Sequence, residues 1–133
     1  MDIEKTYELP FPRAVVFDTW VSSDTVIVPA DEMIVEGVSG GRYELIMHGP
    51  DGGARNAGRF HSVAKNERVV YTWEWNGDGE VTVIDVTFQD AGENTKISLS
   101  HRGFKTEHSR AMHESGWDSY VTGLIGFIRA RSE

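Results

Sequence analysis

His101 is the residue of this chain whose position most favours chemistry. The run of residues 95–102 alternates between apolar and polar side chains, which places His101 on the apolar, inward face of a strand. A buried neutral imidazole needs a hydrogen-bond partner, and Tyr71, Tyr120 or a ligand oxygen are candidates. The ring could serve as a general base, but no acidic residue shares its face. A core histidine with satisfied hydrogen bonds is therefore the simpler interpretation.

Metal and cofactor chemistry are not expected. His108 and His113 are five residues apart, so on a helix they diverge by about 140° and do not share a face. No third ligand is obvious near them, and His113 is expected at the rim of the core. The glycine clusters lie between strands without a following helix, which excludes a phosphate-binding loop or a dinucleotide fingerprint. The sequence therefore predicts neither a metal site nor a cofactor.

Large rings are numerous on the predicted inner faces of the strands. Tyr71, Trp73 and Trp75 follow one another at every second position. Such a row most often belongs to the core, but more rings point inward than one helix is expected to cover. A surplus of inward rings with a few polar groups is also the usual lining of a small-molecule site.

Residues 103–128 are predicted to form one long amphipathic helix bounded by a turn. At 100° per residue, six residues share the stripe expected to lie on a sheet: His113, Trp117, Tyr120, Leu124, Phe127 and Ile128. A second row contains two glycines, which each cost about 1 kcal/mol inside a helix, so backbone or ligand is expected to come close there: Met112, Gly116, Ser119 and Gly123.

The inward sheet residues and this second helix row together predict a binding site between sheet and helix for a small, mostly apolar molecule. The predicted ligand-binding residues are Tyr43, Phe60, Tyr71, Trp73, His101, Met112, Gly116, Ser119, Tyr120 and Gly123. His101 is the only catalytic candidate.

The helices and strands that position these residues are predicted from the periodicity of apolar residues and from turn-forming residues. Residues 13–21 are predicted to form a helix, because two prolines precede them, and a brief helical turn is expected near Ser22 to Asp24. Strands are predicted by alternation and glycine-rich turns: 2–9, 32–37, 42–48, 57–64, 68–75, 81–89 and 95–102. Because the helices are segregated from the strands, the chain is predicted to be one α+β domain over residues 1–133.

Composition excludes several classes of partner. The 133 residues carry 13 Lys and Arg against 21 Asp and Glu, and the net charge of −8 disfavours nucleic acid and anionic membrane surfaces. There is no cysteine, hence no thiol nucleophile or disulfide. The charged N-terminus lacks an apolar signal core and no apolar run approaches 18 residues, so a cytoplasmic location is expected. A monomer or a homodimer is compatible with these features.

Several motifs along the chain carry a resemblance to a known family. They are Gly40-Gly41-Arg42-Tyr43, Gly58-x-Phe60, Glu67-Arg68-Val69-Val70-Tyr71-Thr72-Trp73-x-Trp75, Ser100-His101-x-Gly103-Phe104 and His113-Glu114-x-Gly116-Trp117-x-x-Tyr120. In this combination the chain resembles the activator of heat-shock protein 90 ATPase homologues, within the START-like superfamily. The resemblance implies a helix-grip fold, in which a curved antiparallel sheet of six to seven strands wraps a long C-terminal helix. It also implies two short helices after the first strand and a cavity between sheet and helix.

Three functions remain open on this resemblance. The first is capture of a small hydrophobic ligand in the cavity. The second is a co-chaperone that binds the heat-shock ATPase and speeds its turnover. The third is an enzyme similar to the polyketide cyclases of the superfamily, with His101 as general base and Tyr120 or Tyr71 as hydrogen-bond donor.

Overall fold

A computed structural model describes residues 2–49 and 53–132 of the chain. Its elements, in chain order, are β1 (Ile3–Leu9), α1 (Arg13–Val21), β2 (Glu32–Val35), β3 (Arg42–Met47), β4 (Ala54–Ala64), β5 (Arg68–Trp75), β6 (Thr82–Ala91), β7 (Asn94–Arg102) and α2 (Glu107–Ser132). The central part of the turn predicted at residues 49–53 lies outside the described residues.

The seven strands form one antiparallel sheet in the order β1, β7, β6, β5, β4, β3, β2. Consecutive strands from β2 to β7 are neighbours because short turns join them, and β1 returns to the far edge beside β7. A register shift in β4 between Phe60 and Ser62 interrupts the ladder with β5, and such irregularities bend a strand. This architecture confirms the predicted α+β class and the helix-grip arrangement.

Most elements agree with the sequence prediction, with three differences, one of which is that β4 begins at Ala54 and not at residue 57. Helix α2 begins at Glu107 and not near residue 103, because Gly103 has φ of 105° and the Thr106 hydroxyl accepts a hydrogen bond from the Ser109 amide at 3.0 Å, as a helix N-cap does. The second short helix expected after β1 is not formed. The whole of residues 22–30 is described, and this segment consists of turns and extended chain, because its β-branched residues and Pro29 disfavour a helix.

The core lies between the inner face of the sheet and the two helices. Helix α2 contributes one buried stripe, and its members are Trp117, Tyr120, Val121, Leu124 and Ile128. His113 and Phe127, at the flanks of the predicted stripe, are half-buried. The predicted orientation of α2 on the sheet is thus confirmed in its centre. In residues 2–49 and 53–132 no helix is long and apolar enough to cross a membrane.

Candidate functional site

His101 lies at the end of β7 and is completely buried, as its alternation predicted. The Trp117 indole N–H donates to His101 Nδ1 at 3.0 Å, and His101 Nε2 lies 2.7 Å from Thr82 Oγ1. The Thr82 hydroxyl donates to the carbonyl of Trp73 at 3.0 Å. An indole N–H can only donate, so Nδ1 is unprotonated and Nε2 carries the hydrogen that is donated to Thr82.

This network keeps the His101 ring neutral and occupies both of its nitrogens. Burial lowers the pKa of the imidazole to about 3, and the nearby charge of His113 acts in the same direction. The ring is neutral at physiological pH, and both nitrogens are already in hydrogen bonds. The predicted partners Tyr71 and Tyr120 are wrong, because the partners are Thr82 and Trp117. His101 therefore links α2 to β6 through its hydrogen bonds to Trp117 and Thr82.

Aromatic rings fill the interior between the sheet and α2. On the sheet side, Tyr43 lies with its ring centroid 4.7 Å from that of Tyr71 and 5.7 Å from that of Trp73. Phe60 lies 5.8 Å from Tyr43. Trp117 of α2 reaches Trp73 at 6.3 Å. The structure thus brings together the predicted sheet residues and the predicted helix residue Tyr120, which is buried beside Trp117 at 5.6 Å.

Three of these rings carry polar atoms that are buried without a hydrogen bond. The hydroxyls of Tyr43 and Tyr120 and the indole N–H of Trp73 make no hydrogen bond of good geometry among the described residues, although the Tyr43 hydroxyl lies close enough to those of Tyr71 and Tyr120 to affect their pKa values. Burial raises the pKa of Tyr43 to about 12 and that of Tyr120 well above its ordinary value, so both phenols stay neutral. A buried polar atom without a partner costs about 1 to 3 kcal/mol. Three such atoms therefore destabilise the fold, and a structural role alone does not account for them.

Asn56 is a fourth residue of this kind, and it is not among the predicted site residues. Its register opposite Leu45 of β3 and Trp75 of β5 places it on the inner face of β4. The side chain is 0% exposed, and neither its nitrogen nor its oxygen has a hydrogen-bond partner in the described part of the chain. The signal was available, because Asn56, Gly58 and Phe60 alternate. It was missed because the strand was predicted to begin at Ala57.

The predicted second row of α2 does not face the interior. Met112 is 64% exposed, and Gly116 and Ser119 also lie on the solvent side. Gly123 is half-buried against the 22–30 segment and not against the sheet. The reason is geometric, since this row is about 90° or more around the helix from the centre of the buried stripe.

The two glycines of that row predict opposite responses to alanine. At Gly116 an added Cβ meets no atom within 4 Å, so Gly116→Ala is expected to stabilise the protein by up to about 1 kcal/mol through helix propensity. At Gly123 a Cβ would lie 2.7 Å from Cγ2 of Ile27 and 3.1 Å from the carbonyl oxygen of Val28, so Gly123→Ala is expected to destabilise it. Urea unfolding of both variants tests this, and equal shifts in the same direction would contradict it.

The β1 side of the interior is closed by a polar clamp. Lys5 Nζ and the Tyr7 hydroxyl both donate to Asp118 Oδ1 at 2.7 Å. These hydrogen bonds lower the pKa of the Asp118 carboxyl, Lys5 contributing first. The clamp joins β1, at one edge of the sheet, to α2. It therefore fixes the β1 edge of the sheet to the helix.

Comparison with known proteins gives one family and a set of shared folds. The chain matches the family described as "Activator of Hsp90 ATPase homolog 1-like protein" over residues 10–127. No curated protein matches it.

Among solved structures, protein MLL2253 from Mesorhizobium loti has a TM-score of 0.82 at 14% identity, covering 100% of this chain and 99% of that one. PFC0360w, an HSP90 activator from Plasmodium falciparum, has a TM-score of 0.79 at 19% identity and 96% coverage of both chains. DynU16, a protein in the dynemicin biosynthetic locus, has a TM-score of 0.81 at 15% identity, covering 96% of this chain and 47% of that one. At these identities the likeness shows a common fold.

Proposed function

The chain belongs to the family of activator of Hsp90 ATPase homolog 1-like proteins, and from the geometry of its interior we propose that it binds a small, mostly apolar molecule between the sheet and α2. The proposed contacts are the rings of Tyr43, Phe60, Tyr71, Trp73 and Tyr120. His101 holds the helix in place and does not contact the ligand. The predicted contacts of Met112, Gly116, Ser119 and Gly123 are not retained.

One observation carries this proposal, the group of buried polar atoms without partners on residues that share one interior. The Tyr43 and Tyr120 hydroxyls can each donate and accept, and Trp73 Nε1 can donate. An apolar molecule with one or two oxygen or nitrogen atoms would satisfy several of them at once, while its remaining surface packs on the rings. Apolar lining with a few convergent polar groups is the usual design of such a site.

The place of entry follows from exposure. Tyr43, Phe60 and Tyr71 are almost completely buried, whereas Trp73 and Tyr120 each keep 8% of their surface exposed. These two residues mark where the interior approaches solvent. Because the rings fill the space between the sheet and α2, a ligand requires α2 or Trp73 to move so that a cavity opens among them.

The direct test is native mass spectrometry of the purified protein, followed by organic extraction of what it carries. A stoichiometric small molecule that is absent from Trp73→Ala, in a variant that still unfolds cooperatively, is the expected result. The control is Met112→Ala on the exposed side of α2, which should retain the molecule. An empty wild-type protein that also binds no member of an aromatic fragment library would contradict the proposal.

Removing the Tyr120 hydroxyl gives a second test, on stability. Because this hydroxyl makes no hydrogen bond of good geometry within the residues described and only lies near that of Tyr43, Tyr120→Phe is expected to change the stability of the ligand-free protein by less than about 1 kcal/mol. Tyr71→Phe is the matched control. It should cost about 1 to 3 kcal/mol, because the Tyr71 hydroxyl accepts from Trp20 Nε1 at 3.3 Å. Equal losses in urea unfolding would mean that Tyr120 is held by a hydrogen bond like that of Tyr71.

A second candidate function is stimulation of the Hsp90 ATPase. It is supported by the family match and by the similarity of fold to the Plasmodium activator over 96% of both chains. Addition of this protein to Hsp90 would then raise the rate of ATP hydrolysis in a saturable way. No change in rate, together with no complex in analytical ultracentrifugation, would exclude it.

A cyclase-like activity has less support. The candidate base was His101, and the N–H of Trp117 and the hydroxyl of Thr82 occupy its two nitrogens. A general base needs a free lone pair within reach of the substrate. We therefore place ligand binding ahead of catalysis.

A further inference from the structure

We propose that the ligand carries an uncharged hydrogen-bond donor next to an acceptor, as in a carboxamide, a lactam or an imide, and that Asn56 recognises this pair. This inference rests on the proposed function, because it concerns the same interior. It goes further in naming the chemical class of the ligand and the residue that selects it.

Asn56 presents a complete amide edge toward the interior. Both its Nδ2 and its Oδ1 are buried and lack a hydrogen-bond partner among residues 2–49 and 53–132. A ligand with only an acceptor would satisfy the nitrogen and leave the oxygen without a partner. A second amide satisfies both atoms at once, since it offers a donor and an acceptor side by side.

The position also argues against a purely structural role for Asn56. It lies within a strand and opposite the apolar residue Leu45. Asparagine is depleted in strands, and an apolar side chain would pack better at a fully buried inward position. A polar residue at a buried strand position, whose hydrogen bonds the neighbouring residues do not satisfy, is expected at a functional site.

The lack of unpaired charge on the inner face of the described strands argues against an ionised ligand. Of the described strand residues with inward register, Lys5 and Asp90 carry charge, and both lie at the rim in ion pairs, with Asp118 at 2.7 Å and Arg13 at 3.3 Å. An anion or a cation bound beside Asn56 would therefore be buried without a counter-charge, which is strongly unfavourable. Neutral ligands are the class that this environment accepts.

The nearby donors fit the acceptor of such a ligand. Trp75 lies directly opposite Asn56 on β5, Trp73 lies two residues further along the same face, and the Trp73 N–H is one of the donors without a partner in the described chain. A carbonyl oxygen accepts two hydrogen bonds, so one oxygen can serve both the Asn56 nitrogen and the Trp73 N–H. The N–H of the ligand amide then donates to Asn56 Oδ1.

The experiment compares three matched probes, which are benzamide, methyl benzoate and benzoate, together with their naphthalene analogues. Binding is measured by calorimetry and by quenching of tryptophan fluorescence. We expect the amide to bind at least tenfold more tightly than the ester, and the carboxylate to bind more weakly than either. In Asn56→Leu the ratio of amide to ester affinity should fall to about one, while the ester binds as before or better. Ser62→Ala, on the exposed part of the same strand, should keep the wild-type ratio.

The outcomes separate this inference from the proposal on which it rests. If amide and ester bind the wild-type protein equally well, or if Asn56→Leu keeps the preference for the amide, the inference is wrong and ligand binding stands. If no probe of either ring size binds, both are wrong. The wild-type comparison is decisive even if Asn56→Leu does not fold, because it needs no variant.

Discussion

Replacing Trp117 with alanine is expected to lower the free energy of unfolding by about 3 to 5 kcal/mol. The side chain is buried at the centre of the α2 stripe, and its ring packs near those of Trp20 and Trp73 at centroid distances of 6.2 and 6.3 Å. Its N–H also supplies the hydrogen bond to His101 Nδ1. The substitution thus leaves a cavity and an unsatisfied buried acceptor at the same time.

Urea unfolding followed by circular dichroism measures this loss. Met112→Ala is the matched control on the same helix, and it should change stability by less than about 0.5 kcal/mol because Met112 is largely exposed. Trp117→Phe should fall between the two, since it keeps a ring but not the N–H. A loss below about 1 kcal/mol for Trp117→Ala would mean that α2 does not depend on this contact.

The second large effect is a loss of stability on acidification that depends on His101. Burial lowers the pKa of this imidazole from 6.5 to about 3 in the folded protein, with a further contribution from His113 on α2. In the unfolded chain the residue binds a proton near pH 6.5. Between these values the unfolded state holds more protons, so stability falls as the pH falls. The expected loss is about 1 kcal/mol at pH 5.5 and about 3 kcal/mol at pH 4, relative to pH 8.

His101→Gln isolates this effect, because glutamine offers a donor and an acceptor and does not titrate. The variant is expected to be less stable than wild type at pH 8, with a difference that shrinks or reverses toward pH 4. Carboxyl groups such as those of Glu80 and Asp118, whose pKa values are lowered, titrate in both proteins and cancel in the comparison. Parallel stability profiles of the two proteins from pH 8 to pH 4 would show that His101 is not held neutral.

Two neighbouring polar groups of the interior thus have different physical roles. The first, formed by Trp117, His101 and Thr82, has its hydrogen bonds satisfied and holds α2 on the sheet. The second, formed by Tyr43, Asn56, Trp73 and Tyr120, has buried polar atoms without partners in the described chain. Substitutions in the first group should cost stability, whereas substitutions that remove only a polar atom of the second, such as Tyr120→Phe or Asn56→Leu, should spare stability and weaken binding of the ligand. This contrast is the expected signature of a site kept for function.

Local physical chemistry made much of the fold predictable. The helix at 13–21 and the strand at 68–75 have the predicted bounds, because two prolines start the first and period-2 alternation runs through the second. Alternation also placed His101, Tyr43 and Trp73 inward, since the pleat of a strand decides the side of each residue. The buried centre of α2 followed from the helical period in the same way.

By itself, therefore, the sequence determined the order of elements, the faces of the strands and the class of the fold, because these depend on periods and turn residues that are local in the chain. Only the tertiary structure decided which groups meet across the interior. It assigned Trp117 and Thr82 to His101, moved Met112 and Gly116 to the solvent side, and left Asn56 buried without a hydrogen bond to any residue described. The physical reason is that a hydrogen-bond partner is set by the curvature of the sheet and the rotation of α2, which join residues far apart in sequence.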